Sequence, residues 1–191
     1  MKKILFATKN KNKVREVREI FTHLDYEIIS LDELSDSDEV VEDGFSFAEN
    51  AYKKANYYYQ KYHIPSFSDD SGISIHYFND NPGIHSARFL GGNDYLRTNA
   101  FILDVMKDIE DRRAHYTCAI CYIDENGPLY FEGIMNGEIA LEAKGSNGFG
   151  FDPIFFDKSN NKTLAELSDE EKNKISHRYL ALRKMVDYFE K

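Results

Sequence analysis

Apolar residues change their period several times along the chain, and each change marks an element. Lys3 to Thr8 is a compact apolar run that predicts a first strand. After the polar stretch Lys9-Asn10-Lys11-Asn12, residues Val14, Val17, Ile20, Phe21 and Leu24 recur at helical spacing and predict a helix from Lys13 to Leu24. Tyr26 to Ser30 reads as a second strand, followed by an acidic loop from Asp32 to Asp43. Ser46-Phe47-Ala48-Glu49 has the form of a capping box. The helix it opens sets Phe47, Ala51, Ala55, Tyr58 and Tyr62 on its buried side, and Pro65 ends the segment. Ser68-Asp69-Asp70-Ser71-Gly72 then stands between two short strand-like runs. Tyr95, Leu96, Ile102, Leu103 and Met106 form the apolar side of a further helix. Ala114 to Ile123 is apolar on both faces, which suits an interior strand, and it pairs with Leu129 to Met135 as a hairpin. Ser168-Asp169-Glu170-Glu171 repeats the capping-box form, and Leu180, Leu182, Met185, Val186 and Phe189 make the last helix amphipathic.

Composition narrows the picture. The 191 residues suffice for one domain or two closely joined lobes with a proper core. A net charge of −9 argues against nucleic-acid binding over a broad surface and makes any local basic cluster more informative. The apolar run at the N-terminus is too short for a signal peptide or a membrane span, so a cytoplasmic protein is expected. Cys118 and Cys121 fall three apart on a strand and point to opposite faces, which predicts two reduced, buried thiols rather than a metal site or disulfide.

Four stretches carry candidate chemistry. Asp69 and Asp70 are adjacent carboxylates that repel one another; the segment suits either a hard cation such as Mg2+ or a solvated Asp-Asp-Ser-Gly turn. Lys9, Lys11, Lys13 and Arg15 gather where a strand gives way to a helix start. That arrangement is ready for an anion, or is simply a solvated lysine-rich turn. It lacks the glycines and Lys-Ser/Thr pair of a Walker loop. Gly145 to Pro153 holds three glycines, which let backbone approach a ligand closely, and Phe149 and Phe151, which offer flat faces for stacking or serve as core aromatics. Lys172, Ser176, His177 and Arg178 cluster at the start of the last helix, where a His-Arg pair suits a base edge or a phosphate.

These stretches occur in the order and spacing of one family. Thr8-x-Asn10-x-x-Lys13, Glu42-Asp-Gly-Phe-x-Phe-x-Glu-Asn-Ala51, Asp69-Asp70-Ser71-Gly72, Pro82-Gly83-x-x-Ser86-Ala87-Arg88, Gly148-Phe149-Gly150-Phe151-Asp152-Pro153-Ile154-Phe155 and Ser176-His177-Arg178 together resemble the inosine triphosphate pyrophosphatases. The resemblance runs from Lys3 to the last helix. It implies a single α/β domain over 1–191: an elongated, two-lobed fold with a long mixed β-sheet, flanking helices, a nucleotide cleft between the lobes, and a homodimer. It also implies hydrolysis of dITP, ITP and XTP to a monophosphate and pyrophosphate, with Mg2+ as cofactor and no nucleic-acid or membrane partner. By the same resemblance the loop Thr8, Lys9, Asn10, Lys11, Asn12 and Lys13 holds the triphosphate. Glu42 and Asp70 hold Mg2+, with Asp69 or Glu49 as further candidates and Glu39 as a rival to Glu42; Asp70 is also the general base, and Ser71 touches substrate. Phe149, Gly150, Phe151 and Asp152, with Lys172, His177 and Arg178, hold the base. Two other readings stand beside it: a phosphatase with an aspartyl nucleophile, which would release orthophosphate, and a nonenzymatic nucleotide-binding protein.

Overall fold

In a computed structural model, which describes residues 2–92 and 94–191, the first apolar run forms β1 (Lys2–Phe6) and the second forms β2 (Tyr26–Ser30). They pair in parallel from Lys2↔Tyr26 to Phe6↔Ser30, a connection that needs a crossover, and α1 (Lys11–Phe21) supplies it. The helix buries Val14, Val17 and Phe21, and it begins two residues earlier than the periodicity predicts. Asn10 is the reason. Its side-chain oxygen accepts the N–H groups of Asn12 (3.0 Å) and Lys13 (3.3 Å), so the first turn closes over polar residues that an apolar pattern cannot register.

On the other side of β1 lies β3 (Ser66–Ile75), parallel through Leu5↔Ser66 and Phe6↔Phe67, with α2 (Phe47–Tyr62) between them in sequence. Ser46 caps α2 through Glu49 N–H at 3.1 Å, whereas the Glu49 carboxylate takes the N–H of Phe45 at 2.9 Å, one residue upstream of the reciprocal capping-box partner. The two strand-like runs that flank Asp69-Asp70 are one continuous strand of ten residues, so these carboxylates sit inside β3 and not in a turn. Alternation explains why two adjacent charges are tolerated there: neighbours on a strand face opposite ways.

The remaining elements are β4 (Asn81–Pro82), α3 (Tyr95–Val105), β5 (Arg113–Asp124), β6 (Gly127–Ile139), β7 (Phe155–Asp157), β8 (Lys162–Thr163), α4 (Asp169–Asn173) and α5 (His177–Phe189). Eight strands form one mixed sheet in the order β2-β1-β3-β5-β6-β7-β8, with β4 antiparallel to β3. The fold is therefore α/β, as expected. In α3, Leu96 is exposed and Thr98, Asn99 and Ile102 are buried, which reverses the expected inward role of Leu96.

The chain divides into two units, each with its own core. The first comprises residues up to Asp70, Cys118–Gly133 and Leu180–Lys191. Its centre stacks Phe6 on Phe67, ring centroids 4.4 Å apart, with Val17, Ile120, Met185 and Val186 around them. The second comprises Ser71–Thr117 and Ile134–Tyr179, and buries Ile73, Ile102, Tyr116, Ile139, Phe151 and Phe155. Cys118 and Cys121 are both buried, belong to different clusters of the first unit, and form no disulfide, matching the opposite faces predicted. Among the described residues no helix is long and apolar enough to cross a membrane.

Candidate functional site

In the first unit, α1 and β3 bring Lys13 and Asp69 together. The Lys13 ammonium donates to both oxygens of Asp69 at 3.0 and 2.8 Å, and Asp69 is only 4% exposed. Such a pair is hard to break from one side, since removing either partner strands a buried charge. Thr8, half-buried at the end of β1, accepts the Asn10 N–H on its hydroxyl at 3.2 Å. Lys11 and Asn12 are exposed in the first turn of α1, where backbone N–H groups and the helix dipole favour an anion. Lys9 turns instead to the acidic loop and donates to the Asp38 carbonyl at 3.2 Å.

That loop is not the solvated charge run its composition suggests. Asp36 is buried and accepts from Lys61 at 2.6 Å and from the Tyr62 hydroxyl; Asp38 accepts from Lys61 at 2.6 Å and Tyr57 at 2.5 Å. Burial acts to raise the Asp36 carboxyl, and the hydrogen bonds from Lys61 and Tyr62 outweigh it, leaving the group at about 2. The tyrosines of α2 therefore fasten the loop, and farther along it Glu42 is half-buried and ion-paired with Lys54, while Glu39 is exposed. Glu49 serves α2 as a cap.

Asp70 faces this loop through Asn50, whose side chain is 1% exposed. The Asn50 amide donates to the Asp70 carboxylate at 3.0 Å and accepts the Gly44 N–H at 2.7 Å, tying the carboxylate to the backbone two residues beyond Glu42. Gly44 is needed for that approach, because a Cβ there would lie 2.7 Å from the Asn50 oxygen. Burial is the largest influence on Asp70 and raises its pKa from an ordinary 3.8 to about 6. The Asn50 hydrogen bond opposes that rise, and the charge of Glu42 adds to it. A neighbouring carboxylate whose charge raises Asp70 provides a setting that favours a divalent cation. Among the described residues no three His, Cys, Asp or Glu side chains form a ready cage. Mg2+ does not require one, since one or two carboxylates with water and phosphate oxygens complete its octahedron. Glu42 and Asp70 fit that demand. Ser71, half-buried, follows directly in β3.

The second unit holds the other cluster. Asp152 is 3% exposed and its carboxylate accepts the Phe149 N–H at 2.8 Å and the Lys172 ammonium at 2.5 Å. Gly148 adopts φ +71°, and any Cβ on it would run into that carboxylate. Lys172 lies 4.9 Å from the centre of the Phe149 ring, which is 67% exposed and open for stacking. Phe151 differs: it is 3% exposed, packed edge-to-face on Tyr95 at 5.4 Å, so its ring belongs to the core and not to a stacking surface. Gly150 lies between them, half-buried. His177, the first residue of α5, is buried with its ring stacked on Tyr116 at 4.7 Å, and Arg178 follows it, half-buried.

Asn50 and Lys54 were not legible as site residues. Both sit in a helix whose pattern assigns polar positions to solvent; Asn50 falls within the Glu49-Asn50-Ala51 stretch of the family motif, but that motif gave it no role.

The chain matches the Ham1 family over residues 4–188. It is 42% identical to the dITP/XTP pyrophosphatase of Aquifex aeolicus, over 96% of this chain and 95% of that one. It is 44% identical to the dITP/XTP pyrophosphatase of Desulfotalea psychrophila, over 94% and 81%. Among solved structures, the Ham1 protein of Staphylococcus aureus superposes with a TM-score of 0.92 at 36% identity, covering 99% of this chain and 98% of that one. The HAM1 protein of Coxiella burnetii gives 0.92 at 38% identity, covering 98% of each.

Proposed function

The chain belongs to the Ham1 family, and from that premise we propose that it is a nucleoside triphosphate pyrophosphatase that hydrolyses dITP, ITP and XTP to monophosphate and pyrophosphate. One observation supports this most: Asp70, half-buried, held by Asn50 and raised to about 6, has the proton affinity of a general base working near neutral pH. Two relatives of similar length, each named dITP/XTP pyrophosphatase, support the substrate class.

In this reading the start of α1, with Thr8, Asn10 and Lys11, receives the triphosphate. Lys13 keeps Asp69 neutralised, so that the second carboxylate of the pair acts alone. Glu42 and Asp70 would hold Mg2+, which when bound neutralises charge on the pyrophosphate leaving group. Asp70 accepts a proton from water that attacks the α-phosphorus, and no covalent intermediate forms. Lys54, paired with Glu42, holds that carboxylate in place.

Phe149 stacks on the purine, with Lys172 and Asp152 fixing its loop and His177 and Arg178 facing the base edge. A 6-oxo purine accepts a hydrogen bond where adenine donates one, so a donor in the site disfavours ATP by about 1–3 kcal/mol per buried group left unpaired.

Hydrolysis of ITP in 18O-labelled water tests the chemistry. Label in the monophosphate, with pyrophosphate unlabelled, supports attack at the α-phosphorus. Label in pyrophosphate contradicts it, and labelled orthophosphate places cleavage at the γ-phosphorus, which also contradicts it.

A further inference from the structure

Asn99 occupies the interior of α3, is 6% exposed, and sends its amide N–H to the Gly150 carbonyl at 3.0 Å. Its side-chain oxygen is buried with no hydrogen-bond partner among the described residues. One hydrogen bond contributes about 0.5–1.5 kcal/mol, while a buried unpaired acceptor costs about 1–3 kcal/mol, so the amide brings little or no net stability. An asparagine also suits a helix interior poorly, whereas an apolar residue there would leave no acceptor unpaired. Stability does not account for it.

Its neighbours point to the base-binding loop. One helical turn earlier, Tyr95 packs edge-to-face on Phe151, and its ring lies 3.6 Å from where a Cβ on Gly150 would stand. The same face of α3 thus grips residues 150 and 151. The opposite flank of the loop is held by Asp152, which takes the Phe149 N–H and Lys172. Phe149 itself is exposed, and the direction of its ring depends on backbone anchored at these two points.

We propose that Asn99 is a specificity-positioning residue: by fixing the Gly150 carbonyl it sets the conformation of loop 148–152 and so aims Phe149 at the purine. The proposal rests on the pyrophosphatase reading for its substrate, and on Asn99 geometry alone for the clamp.

Asn99→Leu keeps the branching, adds some bulk and removes the donor, and Asn99→Asp keeps shape but sets a negative oxygen against the carbonyl. Both should lower kcat/KM for ITP on the order of 10-fold, chiefly through KM, and shrink the ITP-to-ATP preference by a similar factor. Hydrogen exchange of amides in 148–152, measured without nucleotide, should speed up in both. Asn99→Ser, smaller and still a donor, should give the same direction with a weaker effect if either variant folds poorly. Faster exchange with an unchanged ITP-to-ATP ratio would overturn the specificity role. Unchanged exchange would overturn the clamp. If the wild-type protein turns over no nucleotide, the pyrophosphatase reading fails and takes the specificity role with it, while the exchange result still decides the clamp.

Discussion

Asp69 and Asp70 are adjacent and chemically identical, yet Lys13 neutralises the first while burial beside Glu42 raises the second to about 6. Strand alternation separates their fates, since each faces its own neighbours. A raised carboxylate is a liability to the fold. Because the folded state holds the Asp70 proton more tightly than the unfolded chain, stability falls as pH rises from 3.8 toward 6, and above 6 the full penalty of roughly 3 kcal/mol is present. Asp70→Asn removes that penalty and still accepts from Asn50. It should raise the melting midpoint at pH 7.5 in metal-free buffer by several degrees, at about 2–4 °C per kcal/mol, while lowering kcat by about 10²- to 10⁴-fold. Calorimetry and turnover on one sample check both halves. In the reading proposed above the base must be ionised to act, so wild-type kcat/KM should fall with acid, and added Mg2+, which competes with the proton at Asp70, should move that fall below about 6. The opposite sign holds for Asp36, whose depressed carboxyl stabilises the fold above 3.8 and loses that contribution as pH falls toward 2.

At the scale of elements, the start of α1 joins structure to function. Asn10 caps the helix and sits within the loop assigned to the triphosphate. Asn10→Ala should cost about 1 kcal/mol in urea unfolding and raise KM for nucleotide more than it lowers kcat. Lys13→Met should cost about 3–5 kcal/mol by stranding Asp69; adding Asp69→Asn should restore most of that stability without restoring activity. Helices with a single apolar face were legible in sequence, as α1 and α5 illustrate, because burial imposes a period, and β1 was legible as an unbroken apolar run because both its faces are buried. β3 was legible only in halves, since its carboxylates mimic a turn and find their partners, Lys13 and Asn50, far away in sequence. Phe151 resembled a stacking ring because a glycine-rich context marks both loops and close packing. Asn50, Lys54 and Asn99 stayed hidden for one reason: a polar residue inside a helix reads as solvent-facing until its partner is known.

For the whole molecule, each unit carries its own hydrophobic cluster, so core damage should be felt strongly from either. Phe67→Ala removes a ring stacked on Phe6 and should cost about 3–5 kcal/mol. A net charge of −9 repels a polyanion at long range, so the nucleotide binding proposed above would rest on the local lysines, the α1 start and Mg2+. Removing divalent metal with a chelator should abolish turnover, and Mg2+ should restore it. The central claim concerns both the bond cleaved and the base chosen, and one assay reads both: hydrolysis of dITP, XTP, ATP and GTP with Mg2+, with pyrophosphate and orthophosphate measured separately. Pyrophosphate from dITP and XTP, with little from ATP or GTP, is the predicted result. Orthophosphate as the product, or no turnover of any nucleotide, would contradict it.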